Sequence, residues 1–188
     1  MSLIKLPHEL LFEVASHLHP KDIVTPLRTC RGLASCLHAA LTDSIFRVRS
    51  PVVARRALFS AVQRLDKRRV KELLSRGIQV IAENQNGSDR LICEAMISES
   101  KEAVILLLEC GLRTDVLDVQ GNTVILYAAI SQRWDLLELI FEWPGVLDGI
   151  EKLDKNEDAM GEALYAIISS EREDLSWKVL NLVNDNIL

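Results

Sequence analysis

Cysteine and histidine are the side chains here that could bind a metal ion or form a nucleophile and base pair. They are Cys30, Cys36, Cys93, Cys110, His8, His17, His19 and His38. The cysteines form no CxxC pair, and no histidine stands at a zinc-ligand spacing from them. Cys30 and His38 resemble a thiol and its base, but a small helical segment offers them no pocket. We expect no metal, no cofactor and buried, reduced thiols.

Other patterns that carry chemistry are missing from the sequence. A nucleophile elbow, a P-loop and a Gly-rich dinucleotide loop are all absent. One basic run could suggest nucleic-acid binding: Arg64, Lys67, Arg68, Arg69, Lys71 and Arg76. We expect these charges on the solvated side of a helix, and no aromatic residues lie between them to stack on bases. The sequence therefore predicts no catalytic residue and no nucleic-acid partner.

Composition and charge favour a helical protein with two different surfaces. Hydrophobic residues make up 48% of the 188 residues, whereas aromatics make up only 5%. This mixture favours an all-α fold. Residues 1–81 hold fourteen Lys/Arg and six Asp/Glu, whereas residues 82–188 hold eight and twenty-one. The asymmetry indicates either two partners or two ordinary solvated surfaces. With neither a signal peptide nor a membrane-spanning run, we expect a cytoplasmic or nuclear protein without membrane contact.

Three short helices are predicted within the first fifty residues. Their apolar stripes are Leu10, Leu11, Val14 and Leu18, then Ile23, Leu27 and Cys30, then Leu33, Leu37 and Leu41. Pro7 suits the start of the first helix. For the second helix, we predict Asp22 at the N-cap and Pro26 in the first turn. So small a module usually completes its core against a partner.

The same stretch resembles the F-box motif. The family pattern L-P-x-E-L-L is matched by Leu6 to Leu11, and Val14, Leu18, Asp22-Ile23 and Cys30-Arg31 follow at the family spacing. Thr29 and Leu33 stand where the family often has Val and Trp. The resemblance implies binding to a Skp-type adaptor, and through it to a cullin scaffold. The residues that would contact the adaptor or shape its docking surface are Leu6, Pro7, Leu10, Leu11, Val14, Leu18 and Ile23. The alternative is that these helices only cap the segment that follows.

An internal repeat runs from residue 57 to residue 182. Ala61, Ala95 and Ala128 recur at an interval of about 33 residues, and other apolar positions keep the same spacing. Gly77 and Gly111 stand where a left-handed residue would end the second helix of a unit. Each unit is predicted to be a helix, a turn, a second helix and a loop.

The period and the paired leucines before glycine resemble ankyrin repeats more closely than tetratricopeptide repeats. We therefore predict an F-box-like domain over 1–49 and ankyrin repeats over 50–188, in units of about 55–86, 87–120, 121–148 and 158–188. This order resembles fungal F-box/ankyrin proteins. Because the last unit ends in Ile187-Leu188, we expect a fragment of a longer array or a degenerate short family member.

The resemblances together imply a substrate-recognition adaptor of an SCF ubiquitin ligase rather than an enzyme. The alternative is an ankyrin scaffold or inhibitor. Ankyrin stacks bind proteins with their loop tips and first helices, and several residues expected there are acidic. We therefore expect a target protein with a basic segment. The predicted contacts are Glu83, Asp89, Glu94, Asp115, Asp118, Gln120 and Tyr127.

Overall fold

The computed structural model describes residues 7–27, 31–83, 90–114, 117–118, 120–143, 157–170 and 172–185. These residues form helices and contain no strand, so the predicted all-α class is confirmed for them. The helices are α1 (His8–Ser16), α2 (Pro20–Leu27), α3 (Arg31–Val48), α4 (Pro51–Gln63), α5 (Lys67–Ser75), α6 (Ile78–Ala82), α7 (Leu91–Ser98), α8 (Lys101–Glu109), α9 (Val124–Ile130), α10 (Trp134–Glu142), α11 (Glu157–Ser169) and α12 (Glu173–Asp185).

The first three helices form a small module in which α1 and α2 pack on α3. The buried core residues that the structure describes are Leu11, Ala15, Ile23, Leu37 and Ala40. The helix α3 is 18 residues long, or about 27 Å at 1.5 Å per residue. Leu37 and Ala40 of α3 pack in this module. Ile45, near the end of the same helix, packs in a second core formed with the later helices.

The start of α2 differs from the prediction. The helix begins at Pro20, so Asp22 lies in its first turn rather than at its N-cap, and Pro26 falls in its last turn. The N-cap role belongs to His19, whose Nδ1 accepts a hydrogen bond from the Lys21 backbone N–H at 3.3 Å. Proline fits the first helical position because its missing N–H would have no intrahelical partner there.

Most of the remaining chain is built from helix pairs. The short helix α6 is an addition, because it follows Gly77 where a loop was predicted, and it packs on α4 and α5. Within a pair, α4 packs on α5, α7 on α8, α9 on α10 and α11 on α12. Between pairs, α9 lies against both α7 and α11. One continuous apolar core runs through the pairs, from Ile45 at the end of α3 to Val179 in α12. The partly buried Leu41 packs against both this core and that of the first module.

Local signals in the sequence set the helix ends. The Asp66 and Ser100 side chains accept hydrogen bonds from the third residue after each, at the starts of α5 and α8. Thr123 does the same at the start of α9. Gly77 and Gly111 have φ values of 79° and 91°, the left-handed conformation predicted for them, which a residue with a Cβ adopts at a cost of about 1–2 kcal/mol.

Polar side chains tie neighbouring helices together. Arg76 links α5 to α3, because its Nη2 lies 2.8 Å from Asp43 Oδ1 and its guanidinium lies 4.4 Å from the centre of the Phe46 ring. Arg133 Nη1 donates to the Glu99 carbonyl at 2.9 Å, which joins the pair α9–α10 to the pair α7–α8. The long helix α3 is therefore fixed to the pairs that follow it by ionic as well as apolar contacts.

Candidate protein-docking surfaces

The predicted docking row on α1 is divided between the core and the surface. Leu11 and Ile23 are buried in the module core. Leu10 and Val14, however, keep 47% and 52% of their surface exposed. Positions 10 and 14 lie one helical turn apart, so the two side chains form one patch beside the buried face. Leu11 and Ile23 can shape this patch from below but do not form its surface.

The other members of the predicted row lie at its edges. Pro7 is exposed just before the first turn of α1, and Leu18 is half-buried after its last turn. Leu6 lies outside the described residues. The Leu18 carbonyl accepts a hydrogen bond from Arg47 Nη2 at 2.8 Å, which ties the end of α1 to the end of α3.

Phe12 is an exposed residue of α1 that the sequence analysis missed. It keeps 41% of its surface exposed and lies on the other flank of the buried stripe formed by Leu11 and Ala15. Because it stands two positions after Leu10, it points to nearly the opposite side of the helix axis from that residue. Phe12 therefore does not belong to the apolar residues of α1 that recur three or four positions apart. The helix α1 thus exposes apolar side chains on both sides of its buried face.

Three of the predicted target contacts, Asp118, Gln120 and Tyr127, lie in the loop before α9 and in its first turn, where they take part in one hydrogen-bond network. Tyr127 Oη donates to Asp118 Oδ2 at 2.7 Å, and Asn122 Nδ2 donates to the same oxygen at 3.0 Å. The backbone N–H groups of Gln120 and Asn122 both donate to Asp118 Oδ1 at 2.8 Å. This Asp118 clamp, formed by Asp118, Gln120, Asn122 and Tyr127, fixes the loop on the first turn of α9.

The ionisation of the clamp follows from these bonds. Burial alone would raise the pKa of Asp118, but the hydrogen bonds donated by Tyr127, Asn122 and Gln120 outweigh it and hold the pKa below its ordinary value. Burial and the hydrogen bond to the carboxylate raise the pKa of Tyr127 to about 12. The clamp therefore holds a carboxylate and a neutral phenol at neutral pH.

The remaining predicted target contacts lie at the start of α7, on α7 and beside the Asp118 clamp, or outside the described residues. Glu83 pairs with Arg90 at 3.0 Å and accepts from the Leu91 backbone N–H at 3.3 Å, so it supports the start of α7. Glu94, half-buried on α7, lies 3.4 Å from Arg55. Gln120 is exposed beside the Asp118 clamp. Asp89 and Asp115 lie outside the described residues.

The thiols that the structure describes are poor nucleophiles. Burial raises the pKa of Cys93 to about 12, so its reactive thiolate is scarce at neutral pH. Cys110 is only partly buried, which departs from the predicted full burial, and desolvation still raises its pKa. Within the described ranges, no group of three or more His, Cys, Asp or Glu residues is arranged to hold a metal ion.

Most of the predicted basic run lies on the outer side of α5 and in the turn before it, as expected. Arg64, Lys67, Arg68 and Lys71 are exposed, whereas Val70 and Leu73 are buried beneath them. Two members of the run depart from this expectation. The Arg69 side chain is only 10% exposed and its Nη1 lies 2.9 Å from Glu72 Oε2, and Arg76 contacts Asp43 and Phe46 of α3.

No protein-family model matches the chain, and a search of curated proteins finds no significant match. Among the residues that the structure describes, no helix is both long and apolar enough to cross a bilayer.

Proposed function

We propose that this protein is a substrate-recognition adaptor of an SCF-type ubiquitin ligase. The module α1–α3 docks a Skp-type protein, which connects it to a cullin scaffold. The helix pairs, which we interpret as ankyrin repeats, hold a target protein. The F-box resemblance of residues 6–31 and the regular recurrence of the alanine and glycine positions in the helix pairs support this proposal.

The observation that carries the proposal is the apolar patch of Leu10 and Val14. A patch half exposed on a helix whose other face is firmly packed is suited to completing its burial against another protein. Polar side chains at these positions would keep the module equally well folded on its buried face. The patch therefore supports a docking role over a purely structural one.

The path from the patch to the repeats also suits an adaptor. The helix α3 enters the cores of both regions, and Arg76 holds it to α5. A bound target would be kept at a fixed distance from the docked Skp-type protein. Ubiquitin transfer would then be favoured by a high effective concentration of the target near the conjugating enzyme.

Co-purification with a Skp-type protein tests the proposal. The double variant Leu10→Ser/Val14→Ser should lose binding by about tenfold or more, because two aliphatic contacts of about 1 kcal/mol or more each are removed. Its melting temperature should match that of the wild type, because both side chains are largely exposed. Val52→Ser/Val80→Ser is the matched control, since Val52 and Val80 are exposed aliphatic residues outside the module.

Two outcomes would reject the proposal. The wild-type protein could fail to bind any Skp-type protein, or the Leu10/Val14 variant could bind as tightly as the control. A second candidate function, a repeat scaffold whose first helices act only as a cap, is favoured by the packing of Leu41 in both cores. In that case no Skp-type protein should bind the wild type, and the Leu10/Val14 variant should keep both its melting temperature and its target binding, because the two side chains are exposed either way.

A further inference from the structure

The short junction between α3 and α4 carries a serine followed by a proline. Ser50 stands between α3, which ends at Val48, and α4, which begins at Pro51. Its backbone is extended, with φ −83° and ψ 122°, and its side chain makes no capping hydrogen bond to α4. The hydroxyl group of Ser50 is therefore not held by the helix that it precedes.

The residues around Ser50 lie at the surface, and one of them is strained. Ser50 is half-buried, whereas Arg47, Arg49 and Val52 are exposed. Arg49 has a φ of 49°, a left-handed conformation that costs a residue with a Cβ free energy. Opening the end of α3 would relieve this cost. The segment before Ser50 should therefore open more readily than an unstrained helix end.

The sequence contains one other hydroxyl residue followed by proline, and its surroundings differ. Thr25 precedes Pro26 and is exposed, but it lies within α2, which spans Pro20–Leu27. A protein kinase must place the acceptor hydroxyl in line with the γ-phosphoryl group of ATP. The Ser50 hydroxyl is on extended backbone and can be placed in this way with α4 intact, whereas Thr25 would have to leave a helix. Ser50 is therefore the better phosphate acceptor of the two.

Two arginines near Ser50 suit a phosphate. Arg47 and Arg49 precede the serine by three residues and by one residue. Arg47 Nη2 donates to the Leu18 carbonyl at 2.8 Å, but a guanidinium has five N–H donors, so others remain. Among the residues that the structure describes, the Arg49 side chain has no ion-pair partner. Phosphoserine carries a charge of about −1.5 to −2 at neutral pH and binds arginine through charge-assisted hydrogen bonds.

We propose that Ser50 is a phosphorylation site for a proline-directed protein kinase and that Arg47 and Arg49 pair with the phosphate. Pro51 has no backbone N–H, so the kinase must contact it through an apolar pocket rather than a hydrogen bond. Ser50 Oγ attacks the γ-phosphorus of ATP and forms the new O–P bond as the bond from that phosphorus to the β-phosphate oxygen breaks. ADP leaves, and the hydroxyl proton passes to the catalytic base of the kinase. The junction connects the proposed docking module to the target-holding pairs, so the regulatory role of the phosphate, unlike the site, rests on the proposed function.

Reaction of the full chain with a purified proline-directed kinase and Mg-ATP tests the site, with the phosphoryl groups counted by intact mass spectrometry. The wild type and the matched control Thr25→Ala should each take up one phosphoryl group, whereas Ser50→Ala should take up none. Pro51→Ala should react at least about tenfold more slowly, because the kinase loses its apolar contact after the serine. Alanine suits the first turn of α4, so this variant should stay folded. No uptake by the wild type, uptake that Thr25→Ala abolishes and Ser50→Ala keeps, or an unchanged rate for Pro51→Ala would overturn the site.

Phosphorus NMR of the phosphorylated chain tests the arginine pairing. The second pKa of phosphoserine, ordinarily about 6, should be lowered, because nearby positive charge favours the dianion. Arg47→Gln/Arg49→Gln should bring this pKa back toward its ordinary value, whereas the control Arg64→Gln/Arg68→Gln, which changes exposed arginines elsewhere, should not. The same pKa in both variants would overturn the pairing. No Skp-type protein enters either experiment, so a failed adaptor function leaves the site standing, and an unmodified Ser50 leaves the adaptor function standing.

Discussion

The module α1–α3 and the helix pairs after it bury their apolar residues on different scales. Among the side chains that the structure describes, the module core has five buried residues, whereas the second core is continuous from Ile45 to Val179. A chain of about 40 residues buries too little surface to fold reliably alone. We infer that the module depends on α3, which is held in place by the larger core.

The two regions also expose apolar residues differently. On α1 the exposed residues Leu10, Phe12 and Val14 belong to a single helix. In the helix pairs, three exposed isoleucines lie on α7, α9 and α11 at one equivalent position each. They are Ile97, Ile130 and Ile168. One helix can present a compact patch, whereas a stack of helices can present a long row.

The largest expected loss of stability comes from truncating a buried side chain in the second core. Leu107→Ala removes a fully buried side chain from α8 and should cost about 3 kcal/mol of unfolding free energy. For a chain of this length, the melting temperature should fall by about 6–12 °C. Hydrogen exchange should accelerate in both regions, because the module depends on the pairs.

Ile23→Ala is the matched change in the module, where Ile23 is also fully buried. It should accelerate hydrogen exchange in α1, α2 and the first part of α3 and leave α7–α10 protected. Equal acceleration of the helix pairs in this variant would mean that the two regions unfold as one unit.

A smaller effect is expected from the Asp118 clamp. Tyr127→Phe removes the hydrogen bond from Tyr127 Oη to Asp118 Oδ2 and should cost about 1–2 kcal/mol in urea unfolding. Because the folded-state pKa of Asp118 is depressed, its stabilisation is present above the unfolded pKa and is lost as the pH falls below about 4. Asp118→Asn should therefore flatten the acid side of the stability profile. An unchanged profile would show that the clamp contributes little.

Much of the helical fold follows from the sequence because periodic apolar residues and caps act locally. The repeat of Ala61, Ala95 and Ala128 predicts the helix pairs, and Gly77 and Gly111 adopt the expected left-handed conformation. The start of α2 was predicted wrongly, since Asp22 has the right type for an N-cap but Pro20 already opens the helix.

The surfaces were harder to predict, because residue type does not fix which neighbour a side chain meets. Asp118 and Tyr127 have the polar character of contact residues, but the fold turns them toward each other. Ile130 and Ile168 are separated by more than one repeat period, so their equivalence depends on how α9 and α11 pack. Half-exposed isoleucines also look like core residues in a sequence.

The smallest expected effect concerns the turn between α9 and α10. Gln132 is exposed and has a φ of 54°, a left-handed conformation that costs a residue with a Cβ about 1 kcal/mol or more. Gln132→Gly removes this cost but makes the unfolded chain more flexible, so the net gain should be about 0.5 kcal/mol. Ser131→Gly is the control, because Ser131 has a φ of −83° and gains nothing from glycine in the folded state. Both changes loosen the unfolded chain alike, so the difference between their urea midpoints isolates the strain at Gln132. If Ser131→Gly were as stable as Gln132→Gly, the left-handed conformation of Gln132 would cost the folded state no free energy.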